Sequence, residues 1–219
     1  MSNRKGGASP PSQNLADALV TLRRESVVIL GRNLTPGEVA LFGKYLYLLA
    51  VWQNTARLVG NANAGWIVDR LILDSPLFLK VIPAAARAII DVGSGAGFPG
   101  VPIRIVRPDL AVTLLDSRRR RTSFLATVVR ELALDNVRIV NARLEDAGTE
   151  LTSHFDAAVM RCAGKWTHVG PAALTLLRSG GVMIASGPPE PDLSWPVTWV
   201  RVSGVGDRTR VFAISVRAI

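Results

Sequence analysis

Apolar residues recur at helical spacing in the first third of the chain and in short strand-like runs thereafter. From Asn14 to Leu30 they fall at Leu15, Ala18, Leu19, Leu22, Val27 and Leu30, which predicts a helix. Thr35-Pro36-Gly37-Glu38 reads as a helix start: Thr35 can cap, Pro36 suits the first turn, and Glu38 can close a capping box. That second helix should run to about Trp52. A third covers Gly65–Leu73, and Asp74-Ser75-Pro76 opens a fourth. Residues 14–86 carry no strand signal, and residues 1–13, polar with Ser, Gly and Pro, read as a flexible tail.

From Arg87 the texture changes. Ala88–Val92, Ala111–Leu115, Val137–Val140, Phe155–Met160 and Gly180–Ala185 are short apolar runs ended by turn residues. Helical patterns at Pro102–Val106, Ser117–Leu132 and Val169–Leu177 separate most of them. Strands alternating with helices predict a parallel sheet covered on both faces. Val197–Val202 and Arg210–Val216, joined by Ser203–Thr209, read as an antiparallel hairpin. The expected architecture is a doubly wound α/β domain over 87–219. It has seven strands, the last antiparallel, and follows a helical extension.

Composition narrows the function classes. Lys and Arg total 26 against 17 acidic residues, a formal charge of +9. Such an excess suits a polyanionic partner, and nucleic acid is the usual one. One cysteine, Cys162, excludes a disulfide scaffold or a multi-cysteine metal site. His154 and His168 have no partners at metal spacing. No apolar run reaches membrane-span length and no leader peptide is evident, so a cytoplasmic location is expected.

The chemistry centres on Asp91-Val92-Gly93-Ser94-Gly95-Ala96-Gly97-Phe98-Pro99-Gly100, which follows the first strand and opens a helix. Glycines there allow a tight turn and let a ligand approach the backbone. The spacing Gly93-x-Gly95-x-Gly97 is not that of nicotinamide-dinucleotide sites, and no P-loop lysine follows. Asp91 lies on the strand itself, and Asp116 ends the next strand, 25 residues further on. A carboxylate there can accept hydrogen bonds from both hydroxyls of a ribose. Sites for S-adenosylmethionine are similar, with an acid near the methionine amino group, glycines under the ligand and a second acid on the ribose. The competing reading makes Asp91 a plain helix cap.

Across this loop the chain resembles the bacterial 16S ribosomal RNA (guanine-N7) methyltransferases, also called glucose-inhibited division protein B. The resemblance rests on Gly93–Pro102, Leu114-Leu115-Asp116-Ser117, Arg120-Arg121, Phe124-Leu125, Glu131–Val137, Arg143-Leu144-Glu145, Phe155-Asp156 and Arg161. Upstream, Tyr45-Leu46-x-Leu48-Leu49 with Trp52, and Leu73-Asp74-Ser75, echo it. The chain departs from the pattern at Gln53 and Ala56–Val59, at Leu71 and Pro76, and at Ser186–Pro189. The resemblance implies a Rossmann-like methyltransferase fold that uses S-adenosylmethionine to modify a guanine of small-subunit rRNA near the decoding region. Gly93 and Phe98 would line the cofactor pocket with Gly95 and Gly97. Leu144 and Glu145 would sit by the adenine, and Arg161 would lie beside the cofactor near methyl transfer.

Arg118–Arg121 open a helix just after Asp116. Arg120 and Arg121, with Arg143 at a strand end, are the candidate phosphate contacts. An ion pair with Glu145 or Asp146 competes for Arg143. Cys162 reads as a small packing residue, and Trp166 is the best base-stacking candidate among five tryptophans. The expected enzyme is a monomer acting on rRNA or the small-subunit particle, without metal or membrane. Three rivals stand beside it: a small-molecule methyltransferase, a non-catalytic module binding S-adenosylmethionine or RNA, and a nicotinamide oxidoreductase.

Overall fold

The computed structural model describes residues 11–147, 149–161, 166–186 and 197–218. Seven strands form one sheet in the order β3-β2-β1-β4-β5-β7-β6. They are β1 (Ala88–Val92), β2 (Ala111–Leu115), β3 (Val137–Val140), β4 (Phe155–Arg161), β5 (Leu177–Ser186), β6 (Thr198–Ser203) and β7 (Thr209–Val216). Neighbours within β1–β5 pair in parallel, whereas β7 runs antiparallel to both β5 and β6. This is the expected doubly wound sheet with its last strand reversed.

Alternation along β1 divides the core. Ile89 joins one apolar cluster, while Ile90 and Val92 join the other. The first cluster lies under α4 (Gly100–Val106) and α5 (Arg119–Glu131) and extends into the N-terminal helices α1 (Pro11–Leu30) and α2 (Pro36–Ala56). The second is covered by α6 (Trp166–Leu176). Phe42, Tyr45 and Leu49 of α2 are buried in the same cluster as Ile103, Phe124 and Leu125. The core therefore runs across the change of texture at residue 86.

The capping box at α2 forms as expected. The Glu38 amide donates to Thr35 Oγ1 at 3.1 Å, and the Thr35 amide donates to Glu38 Oε2 at 2.7 Å. Arg32 adds a two-pronged bridge to Glu38 and donates to the Val106 carbonyl, tying α2 to α4. Burial pushes the Glu38 carboxyl up, but the Arg32 fork and the Thr35 donors outweigh it and hold it below its usual range.

Several boundaries differ from the sequence reading. The first helix starts at Pro11, so residues 11–13, assigned above to the tail, are helical, with proline suited to the first turn. Residues 1–10 lie outside the described residues. The third helix is only Ala64–Ile67 (α3), capped by Asn63, and passes into a π-helical turn at Val68–Ile72. The fourth is a 3₁₀ helix, Ser75–Lys80. Strand β5 begins at Leu177, three residues early, because Leu177 pairs with Phe155 across an irregularity in the register. At the departed segment after α2, Gln53 closes the turn itself: its amide donates to the Val59 carbonyl and accepts from the Val59 amide.

Candidate active site

The glycine loop leaves the carboxyl edge of β1 and is stitched to the end of β2. The amides of Gly93 and Ser94 both donate to the Leu115 carbonyl, at 2.8 and 3.0 Å. Gly93, Gly95 and Gly97 all have positive φ. Gly97 is the most constrained of the three. A Cβ there would meet Val101 Cγ2 at 2.6 Å and the Tyr45 hydroxyl at 3.0 Å, at a φ of +97°. The loop is exposed at Gly93 and buried by Gly97.

Asp116 organises the upper side of this loop. Its Oδ2 accepts from the Gly95 amide at 2.9 Å and contacts Arg121 Nη1 at 3.3 Å. Its Oδ1 accepts from the Arg118 amide at 2.8 Å, at the start of α5. Asn141 Nδ2 donates to the Asp116 carbonyl. Asp116 lines an open cleft of about 720 Å³ together with Gly93, Arg121, Arg143, Leu144 and Glu145. That volume falls within the roughly 300–1,000 Å³ of small-ligand sites. The cleft sits outside the carboxyl ends of the strands beside β1, where open α/β sheets bind ligands.

Asp91 lies on the other side of the loop and is sealed from solvent. Its Oδ2 accepts from the Gly100 amide at 2.8 Å, capping α4, while Oδ1 is buried without a hydrogen-bond partner. Burial pushes its carboxyl up to about 7, against the opposing pull of the Gly100 amide and the Arg161 charge. The cap reading of Asp91 thus describes one oxygen and leaves the other unpaired. Phe98 is buried with it, its ring 5.5 Å from that of Tyr45. Neither Asp91, Gly97 nor Phe98 lines the cleft.

Arg161 ends β4. The register Val92↔Met160 sets it level with Gly93, the first residue past β1. Its Nη2 lies 3.0 Å from Asp74 Oδ2, and Nη1 donates to the Arg70 carbonyl at 3.2 Å. Of the predicted phosphate contacts, Arg120 is exposed away from the cleft, Arg121 turns toward Asp116, and Arg143 is exposed at the cleft wall. Among the described residues Arg143 forms no ion pair with Glu145 or Asp146. Cys162, Trp195 and the side chains of Trp166 and His168 lie outside the described residues. His154 is exposed and bonded to the Thr152 carbonyl.

The sequence reading missed two residues that shape the site. Tyr45, fully buried on α2, donates its hydroxyl to the Ala96 carbonyl at 2.6 Å and so pins the loop from below. Asp74 receives both Arg161 and Arg210. Both stand in the upstream segments that echo the family pattern, but nothing in their spacing tells that they reach the loop.

The donor set suits S-adenosylmethionine. The cleft offers exposed glycine backbone, and Asp116 Oδ1 carries only one of the two hydrogen bonds it can accept. The second oxygen is already filled, so accepting both ribose hydroxyls needs Arg121 to swing aside. No group of three or more His, Cys, Asp or Glu among the described residues could hold a metal ion. No helix among them is long and apolar enough to cross a membrane.

Comparison with known proteins bears on the family and the fold. Ribosomal RNA small subunit methyltransferase G of Chromobacterium violaceum is 41% identical over 164 residues, covering 74% of this chain and 76% of that protein. Its counterpart in Clostridium beijerinckii is 34% identical over 174 residues, covering 78% and 73%. Among solved structures, a precorrin-6y C5,15-methyltransferase from Geobacter metallireducens aligns with a TM-score of 0.50 at 12% identity, over 72% of this chain and 90% of that one. A predicted O-methyltransferase from Agrobacterium tumefaciens aligns with a TM-score of 0.50 at 17% identity, over 65% and 80%. These two likenesses speak for the fold alone. The family model described as rRNA small subunit methyltransferase G matches residues 38–187, a span that holds every candidate site residue. With two thirds of its length inside that model, the chain belongs to the rRNA small subunit methyltransferase G family.

Proposed function

We infer that this chain transfers a methyl group from S-adenosylmethionine to N7 of a guanine in small-subunit ribosomal RNA. The observation that carries the reading is the cleft between the glycine loop, Asp116 and the Arg143–Glu145 segment, in a chain of this family. S-adenosylmethionine, when bound, supplies a methyl group on a cationic sulfur. The residues of this chain do the rest. Asp116 would hold the ribose, with Gly93 and Gly95 giving it backbone to lie against. Leu144 and Glu145 would flank the adenine, and Arg161 would border the transfer site.

Guanine N7 carries a free lone pair and loses no proton when methylated. Positioning of an in-line attack is then the main task, and no general base is required. N7 is hidden while the base is stacked in a folded helix, so the substrate would be a loop, a splayed base or RNA within an assembling particle. Arg118, on the cleft wall, and Arg119 and Arg120, exposed on the first turn of α5 outside it, would grip phosphates. The net charge supports this polyanionic substrate over a small molecule. The enzyme would act as a monomer in the bacterial cytoplasm.

The test is transfer of labelled methyl from S-adenosylmethionine to small-subunit particles and to naked 16S rRNA lacking the modification. Alkali-labile 7-methylguanine in either substrate is the expected product. Transfer to small acceptors alone would overturn the rRNA assignment.

A further inference from the structure

Asp74 lies between two arginines brought from the second half of the chain. Its Oδ2 is 3.0 Å from Arg161 Nη2, and Arg210 Nε donates to its Oδ1 at 3.1 Å, while Arg210 Nη2 reaches Oδ2. The neighbouring Asp69 takes Arg208 and Arg70 in the same way. Four guanidinium groups are thus gathered around two carboxylates beside the carboxyl end of β4. Asp91, sealed under the loop, also feels the Arg161 charge. Side chains of Arg161 and Asp74 are each 13% exposed, so water screens their charges weakly.

A methyl donor of the sulfonium type is a cation, and the thioether left after transfer is neutral. An arginine level with Gly93 would repel the donor and ignore the product unless a carboxylate offset its charge. We propose that Asp74 supplies that offset: it pairs with Arg161 so that the pocket accepts a cationic donor as well as the neutral product. The proposal rests on the reading of Arg161 as bordering the cofactor. Asp74 is then a positioning and charge-setting residue for that site, acting from the N-terminal helical layer through Arg161. Arg210, competing for the same carboxylate, weakens the offset.

Binding to the RNA-free protein separates this role from simple bracing. Titration calorimetry would measure S-adenosylmethionine and S-adenosylhomocysteine on wild type, Asp74→Asn and Arg210→Met, with thermal unfolding of each ligand-free protein as the folding control. In Asp74→Asn, S-adenosylmethionine affinity should fall on the order of tenfold. S-adenosylhomocysteine affinity should stay within about twofold. In Arg210→Met the preference for S-adenosylmethionine should rise, because Asp74 then serves Arg161 alone. Equal losses for both ligands in Asp74→Asn, or no loss for either, would overturn the proposal. If Asp74→Asn does not fold, Arg210→Met decides alone, and an unchanged or reduced preference counts against the offset. Wild type binding neither ligand would instead sink the cofactor reading itself, and this proposal with it.

Discussion

The glycine loop separates two regions that treat a carboxylate in opposite ways. Above it, Asp116 lines an open cleft with two amide donors on its oxygens and Arg121 at its side. Below it, Asp91 is sealed in the core with one donor and one unpaired oxygen. Both acids sit at neighbouring strand ends, and in the sequence they look like equivalent halves of one binding motif. The difference shows that position on the sheet edge is not enough. Both are buried, and it is the opening onto the cleft and the supply of N–H donors that decide which carboxylate can take a ligand and which one braces the turn.

The largest effect should come from filling the space around the lower acid. A Cβ at Gly100 would meet Leu114 Cδ2 at 2.5 Å and Asp91 Oδ2 at 2.8 Å. Gly100→Ala is therefore expected to cost about 4–5 kcal/mol or more, seen as a collapse of the midpoint in chemical denaturation. A neutral effect there would mean that the floor of the loop is looser than its contacts show.

The next effect is one of pH. The folded-state value of Asp91, about 7, lies above its unfolded value near 3.8. The native state therefore binds more protons between those limits, and stability should fall as pH rises through that window. The loss from this group approaches about 4 kcal/mol by pH 8. In Asp91→Asn that slope should be absent from denaturation curves taken between pH 4 and 8.

The smallest effect tests the rim rather than the acids. Single Arg119→Ala and Arg120→Ala changes should each weaken RNA binding a few-fold and lower the salt dependence of its affinity by about one counterion. Cofactor affinity should not move, because these side chains are exposed outside the Asp116 hydrogen bonds. A change in cofactor binding would place them inside the cleft instead.

How far the sequence discloses this site depends on range. The sheet, its reversed last strand and the capped start of α2 follow from local period and turn chemistry, and all are present. The strand-to-loop motif likewise places Gly93, Asp116, Leu144 and Glu145 around one cleft. What local pattern cannot show is contact across long separations. Tyr45 reaches Ala96 over 51 residues, and Arg210 reaches Asp74 over 136. Phe98 looks like a pocket residue from its place after the glycines, yet α2 supplies Tyr45 to cover it, and it joins the core. The short Ala64–Ile67 helix and its π-helical continuation carry a helical period that does not distinguish the two hydrogen-bond patterns.

The central claim, that Asp116 and not Asp91 is the acid that lines the cofactor cleft, is tested most directly by calorimetric titration of S-adenosylmethionine into wild type and Asp116→Ala. Wild type should bind, and Asp116→Ala should lose at least about tenfold in affinity, equal to about 1.4 kcal/mol, while its ligand-free form still unfolds cooperatively. Undiminished binding by Asp116→Ala would contradict the account and move the cofactor away from this carboxylate.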